Sequence, residues 1–103
     1  MKPSRLLSAQ DKWCKFDAAQ SKDGGAVSPF SPLAVKWDLS SSISCYTGLP
    51  VKQAQLRIRA TEAWSIWIQD NAKAQYPCQT TLEDYNDTTS WSWIVLALKQ
   101  ANL

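Results

Sequence analysis

The sequence predicts an all-α fold, a compact bundle of about four helices with one long irregular loop before the last helix. Two observations lead to this expectation. Apolar side chains recur at helical spacing in four segments, and Gly or Pro residues separate those segments. The chain has 103 residues, and its 45% hydrophobic and 19% charged content is typical of a globular protein. We therefore expect a single helical domain over residues 1–103.

The first two predicted helices span residues 3–22 and 32–46. In the first, Leu6 and Trp13 share one narrow apolar stripe, and an Asp-Gly-Gly run follows the helix. The second is expected to begin at Ser31, because a Ser followed by Pro is typical of an N-cap and a first-turn position. Its apolar residues lie on two arcs, which predicts contacts with two neighbours.

The third predicted helix, residues 51–72, is the longest and is apolar on two sides, as expected of a central helix. Residues 73–90 form the predicted loop, since Pro77 interrupts any continuous helix there. The last helix begins at Trp91, and its apolar stripe continues through Leu98. This stripe covers more than half of the circumference, which predicts a buried helix.

The charge distribution argues against nucleic acid as a partner. The 11 basic and 9 acidic residues are scattered in both signs, whereas nucleic-acid-binding proteins usually concentrate Lys and Arg. Arg57 and Arg59 fall on different sides of the third helix. No secretory signal or bilayer-length apolar run is apparent, so the expected location is cytoplasmic, with no membrane association.

The cysteines indicate neither a zinc site nor a catalytic thiol. Cys14, Cys45 and Cys78 are widely spaced, and the chain contains no His, so the usual four clustered zinc ligands are missing. A nucleophilic Cys also lacks a His to activate it. We expect reduced and mostly buried thiols, no bound metal and no cofactor.

One acidic cluster in the predicted loop could carry chemistry. Glu83, Asp84, Asn86 and Asp87 lie within five residues, and paired carboxylates serve as acid and base or bind hard cations. The cluster does not match an EF-hand loop. The structural alternative is favoured. Near the N-terminus of the last helix negative charge is favourable, and backbone N–H bonds can be accepted there by Asn86, Asp87, Thr88, Thr89 and Ser90.

The six Trp residues raise the alternatives of ligand stacking and core packing. Five of them fall on predicted apolar stripes and are expected in the core. Trp93 lies at the edge of its stripe and is the candidate for exposure. Together with Tyr85, Leu96 and Leu103 it makes up the predicted partner-binding set, because exposed aromatic residues are enriched at protein interfaces.

Three segments carry a resemblance to a known family. They are WCKFDAAQSKDGG from Trp13, AVKWDLSSSI from Ala34 and YNDTTSWSWIVLALKQA from Tyr85. They resemble small bacterial and phage-encoded helical domains of unknown function, whose pattern combines a Trp before Ala, Asp and Gly, an Ala-x-x-Trp-Cys motif, and an aromatic-Asn-Asp turn before a Val- and Leu-rich last helix. In the second segment Asp38 stands where the family has Cys, so no role of that Cys carries over.

The sequence thus favours a small non-catalytic protein-interaction module. The resemblance implies a bacterial or mobile-element setting and not a mechanism. Together with the short length, the missing catalytic motifs and the surplus of Trp, it leads to the hypothesis of a phage or mobile-element factor that binds a host protein complex and inhibits or redirects it. No phosphate loop, nucleophile elbow or dinucleotide fingerprint is present. The alternative, a carboxylate-dependent hydrolase that uses residues 83–87 with or without a metal, stays open because such catalysis needs no motif.

Overall fold

The computed structural model describes residues 2–46, 49–70 and 81–103. This part of the chain is mostly helical, as predicted, but it contains six α-helices and a two-stranded antiparallel sheet where about four helices were expected. The helices are α1 Pro3–Leu6, α2 Leu39–Tyr46, α3 Val51–Arg59, α4 Glu62–Asp70, α5 Leu82–Thr88 and α6 Trp91–Gln100, and the strands are β1 Ala19–Gln20 and β2 Lys36–Trp37. Within these ranges no helix is both long and apolar enough to cross a membrane.

The predicted first helix over residues 3–22 is wrong beyond its first turn. The α-helix ends at Leu6, and a 3₁₀ helix follows at residues 10–12. Next, the Cys14 N–H donates to the Trp37 carbonyl (3.2 Å), and Ala19 pairs with Trp37 across the sheet. Backbone groups of this segment are hydrogen-bonded to residues distant in the sequence. These tertiary contacts outweigh the helical periodicity of the segment.

The predicted second helix starts later than expected. Ser31 Oγ accepts the Leu33 N–H (3.1 Å) within a turn, and the chain then runs extended through β2. Helix α2 begins at Leu39, where Asp38 Oδ1 accepts the Ser41 N–H (2.7 Å). Asp38 therefore is the N-cap, a role that its residue type favours.

The predicted third helix is two helices. Thr61 Oγ1 donates to the Ile58 carbonyl (2.7 Å) and accepts the Trp64 N–H (3.2 Å), so α3 ends and α4 begins there. Gln100 of α6 adds a second cap, because its Oε1 accepts the Ala63 N–H (2.8 Å). The two new helix ends are thus hydrogen-bonded, which removes the usual cost of interrupting a helix.

The predicted loop covers residues 73–90, of which 73–80 lie outside the described ranges. For residues 81–90 the prediction of an irregular loop is wrong. Helix α5 occupies much of the remainder, and a capping box closes its start: Thr81 Oγ1 accepts the Asp84 N–H (3.1 Å), and Asp84 Oδ2 accepts the Thr81 N–H (3.2 Å). The prediction of a helix from Trp91 is confirmed by α6.

The core lies among helices α2 to α6. Its aromatic cluster consists of Trp64, Trp67 and Tyr85, whose ring centroids are 5.1–5.5 Å apart. Trp13 is buried as well, and the remaining Trp residues are partly buried and pack against this core. The N-terminal sheet and its connections lie beside the helices and carry most of the exposed apolar side chains described below.

Candidate functional site

Two of the four predicted partner-binding residues are buried, and their assignment to the surface is wrong for this fold. Tyr85 is fully buried, and its hydroxyl donates to the Trp93 carbonyl (2.9 Å). Leu103 packs into the core because Asn102, at a φ of 57°, ends α6 in a left-handed turn. The Leu103 N–H then donates to the Leu98 carbonyl (2.8 Å), as in a Schellman motif.

The other two residues, Trp93 and Leu96, remain accessible. Trp93 is half-buried and lines a shallow depression with Ile66 of α4 and Ser90 before α6. Leu96 is 40% exposed and is not among the described residues of that depression. Their role in binding a partner stays a prediction.

The acidic cluster is mostly used within the fold. Asp84 closes the capping box of α5, so it caps this helix and not α6 as expected. Asp87 Oδ1 accepts the Phe16 N–H (2.9 Å), which holds an exposed Phe whose φ is 71°. Of the three carboxylates Glu83 is the exposed one, and its Oε1 accepts the Ser40 hydroxyl (3.1 Å). The geometry is that of helix capping and segment anchoring.

Asn86 forms the most connected polar site in the described structure. Its side chain is fully buried, and Oδ1 accepts the Trp13 indole N–H (2.6 Å) and the Leu39 backbone N–H (2.9 Å). Its Nδ2 donates to the Cys14 carbonyl and to Asp87 Oδ1, both at 3.0 Å. All four hydrogen-bonding positions of the amide are therefore filled. Asn86 joins the N-terminal segment, the start of α2 and helix α5.

The described thiols are not set up for catalysis. Burial, followed by the negative charge of Asp38, raises the pKa of Cys14 to about 12, so this thiol stays protonated at neutral pH. Burial also raises the pKa of Cys45. Cys78 lies outside the described ranges. In those ranges no three His, Cys, Asp or Glu side chains are grouped as metal ligands would be.

Three large apolar side chains are exposed together in the segment before β2. Phe30, Leu33 and Val35 leave 77%, 65% and 43% of their surface accessible, and we call them the apolar strip. Hydrogen bonds hold this segment: Ser28 Oγ accepts the Phe30 N–H (3.2 Å), and the Val35 N–H donates to the Gln20 carbonyl (2.9 Å). The strip is therefore displayed by an anchored segment, although burying such side chains would be favourable.

Val35 also belongs to a groove of about 430 Å³ between the N-terminal segment and β2. The groove is of the size of small-ligand clefts. Its described lining consists of Arg5, Leu6, Lys12, Ala34, Val35 and Trp37. We call it the α1–β2 groove. The apolar strip and this groove together make the best-supported candidate site.

A second depression, of about 490 Å³, lies next to the same strand, and Lys15 and Lys36 line it. Adjacent residues of β2 thus face different cavities, since Lys36 lines this one and Trp37 the other. Arg5 and Lys12 of the α1–β2 groove bring to four the basic residues near β2. In the structure these four residues come from α1, the 3₁₀ helix, the segment after it and β2.

One signal in the sequence could have revealed the site. Leu33, Val35 and Trp37 alternate with smaller or charged residues, which is the period of a strand. If the segment is taken as a helix, Val35 and Trp37 fall on different arcs, and no exposed apolar strip is predicted. Searches of protein-family models, of curated proteins and of solved structures found no match to this chain.

Proposed function

We propose that this protein is a small non-catalytic protein-interaction module that binds its partner through the apolar strip and the α1–β2 groove. The observation that carries the proposal is the exposure of Phe30, Leu33 and Val35 on a hydrogen-bonded segment. Large apolar side chains exposed close together in the sequence, on a segment held by hydrogen bonds, favour an interaction site. Val35 connects the two parts, because it belongs to the strip and lines the groove.

The biological setting follows from the resemblance of the three segments to bacterial and phage-encoded domains. In that setting the partner is a cytoplasmic host protein or complex, and the module inhibits or redirects it by covering part of its surface. A standard interface takes roughly 800 Å² from each partner, so occlusion alone is a sufficient mechanism for a domain of this size.

The alternative hydrolase gains no support from the geometry. Asp84 Oδ2 accepts the Thr81 N–H, Asp87 Oδ1 accepts the Phe16 N–H, and Asn86 is buried with all its hydrogen-bonding positions filled. In these positions the two carboxylates and the amide hold the start of α5 and the N-terminal segment, which is a structural role.

The proposal is tested by selecting short random peptides from a display library on the immobilised protein. Peptides that bind wild type are expected to bind Val35→Asp roughly 30-fold more weakly, because a carboxylate replaces an apolar contact at the junction of strip and groove. Leu56→Asp is the matched control, since Leu56 is an exposed apolar residue on α3, with 58% of its surface accessible against 43% for Val35. Its affinity for the same peptides is expected to equal that of wild type.

Two results would contradict the proposal. Either no peptide is enriched on wild type above the Val35→Asp variant, or binding is lost in Leu96→Asp and retained in Val35→Asp. The second result would move the binding surface to α6, where sequence analysis expected it. Thermal unfolding of each variant checks that the fold is intact.

A further inference from the structure

The two walls of the α1–β2 groove differ in chemistry. The wall from α1 and the 3₁₀ helix contributes the exposed cations Arg5 and Lys12, with the buried Leu6 between them in the sequence. The wall from β2 and the residues before it contributes Ala34, Val35 and Trp37, which present apolar surface. The described lining includes no carboxylate. A ligand that fills this groove therefore meets positive charge on one side and apolar surface on the other.

The backbone of β2 is already paired on both sides at Trp37. Ala19 of β1 lies opposite it in the antiparallel sheet, and the Cys14 N–H donates to its carbonyl from the other side. A partner that added a strand here would have to displace one of these neighbours. Recognition in the groove consequently depends on side chains of the partner.

We infer that the α1–β2 groove binds a short acidic amphipathic segment of a protein partner, with Asp or Glu side chains towards Arg5 and Lys12 and aliphatic or aromatic side chains towards Val35 and Trp37. This inference rests on the proposed function and names its class of partner. Complementary charge fixes the orientation of the segment, and the apolar contacts supply most of its affinity.

A single strand of nucleic acid fits the same surface less well. Such strands need a continuous cationic track and aromatic faces on which bases stack. Lys15 and Lys36 line the other depression, so the cations do not form one track along the groove. The Trp37 indole N–H donates to the Pro29 carbonyl (3.1 Å), and its ring packs against the core.

The test is a charge swap in the peptide selection. Peptides selected on wild type are expected to be enriched in Asp and Glu beside apolar residues, and to bind Arg5→Glu/Lys12→Glu at least roughly tenfold more weakly. Selection on that double variant is expected to enrich Lys and Arg in place of acidic residues. The neutral variant Arg5→Gln/Lys12→Gln provides a milder change, and its expected loss of affinity is smaller but in the same direction.

The outcomes separate this inference from the proposed function. Peptides that are apolar but not acidic, and that bind the charge-swapped variant as well as wild type, would overturn the inference and leave the interaction module standing. Binding of a fluorescent oligothymidylate at affinity equal to that of the selected peptides, lost in the charge-swapped variant, would overturn it in favour of nucleic acid. Absence of any peptide above the Val35→Asp background would overturn both.

Discussion

Replacing Asn86 with Leu is expected to lower the free energy of unfolding by about 3–5 kcal/mol. The substitution leaves the Trp13 indole N–H, the Leu39 N–H and the Cys14 carbonyl without their buried partner, and each unsatisfied buried group costs roughly 1–3 kcal/mol. Urea or guanidinium unfolding of the purified variant, compared with wild type, gives the difference.

Glu83→Gln is the control for Asn86→Leu, because it changes an exposed residue on the same helix and preserves an acceptor for Ser40 Oγ. Its expected effect is within about 0.5 kcal/mol. If Asn86→Leu unfolds at the same denaturant concentration as wild type, the amide does not join the N-terminal segment to α2 and α5 as described.

Truncating Tyr85 to Ala is expected to cost about 3–5 kcal/mol of stability. The ring is fully buried against Trp64 and Trp67, at centroid distances of 5.3 and 5.1 Å, so its removal leaves a cavity in the aromatic cluster. Tyr85→Phe preserves the ring and removes only the hydrogen bond to the Trp93 carbonyl. That variant is expected to cost about 1 kcal/mol.

The pair of Tyr85 variants separates packing from hydrogen bonding. Equilibrium unfolding followed by Trp fluorescence measures both on the same scale. Equal losses for the Phe and Ala variants would assign the stability to the hydroxyl, and a loss below about 1 kcal/mol for Ala would contradict the burial of the ring. Neither variant touches the apolar strip, so peptide binding by the folded fraction should be unchanged.

Helix α6 could be predicted from the sequence because its information is local. Its apolar residues follow one stripe, and Ser90 occupies the N-cap position. The starts of α4 and α5 also carry local signals, although the sequence prediction did not include these two starts. Thr61 and Thr81 are N-cap residues, and each helix has an acidic residue in its first turn. Attention to N-cap residues would have divided the third helix and recognised α5.

Other features depend on contacts between distant residues. The segment after α1 has helical periodicity, yet Trp37 and Asn86 take its hydrogen bonds, and no local rule predicts that outcome. The α1–β2 groove also depends on distant parts of the chain, because Arg5 and Val35 line the same groove although they lie far apart in the sequence. The prediction that Tyr85 and Leu103 contact a partner was wrong for a related reason. The position of a residue in a helix indicates on which face it lies, but not which other element covers that face.

The central claim, that the apolar strip and the α1–β2 groove bind a protein segment, is tested most directly by a ¹H–¹⁵N correlation spectrum of the labelled protein with and without a selected peptide. The account predicts shifts of the backbone signals of Leu33, Val35 and Lys12 and of the Trp37 indole signal, while the Trp93 indole signal stays in place. Shifts confined to Trp93 and Leu96 would contradict it and assign binding to α6.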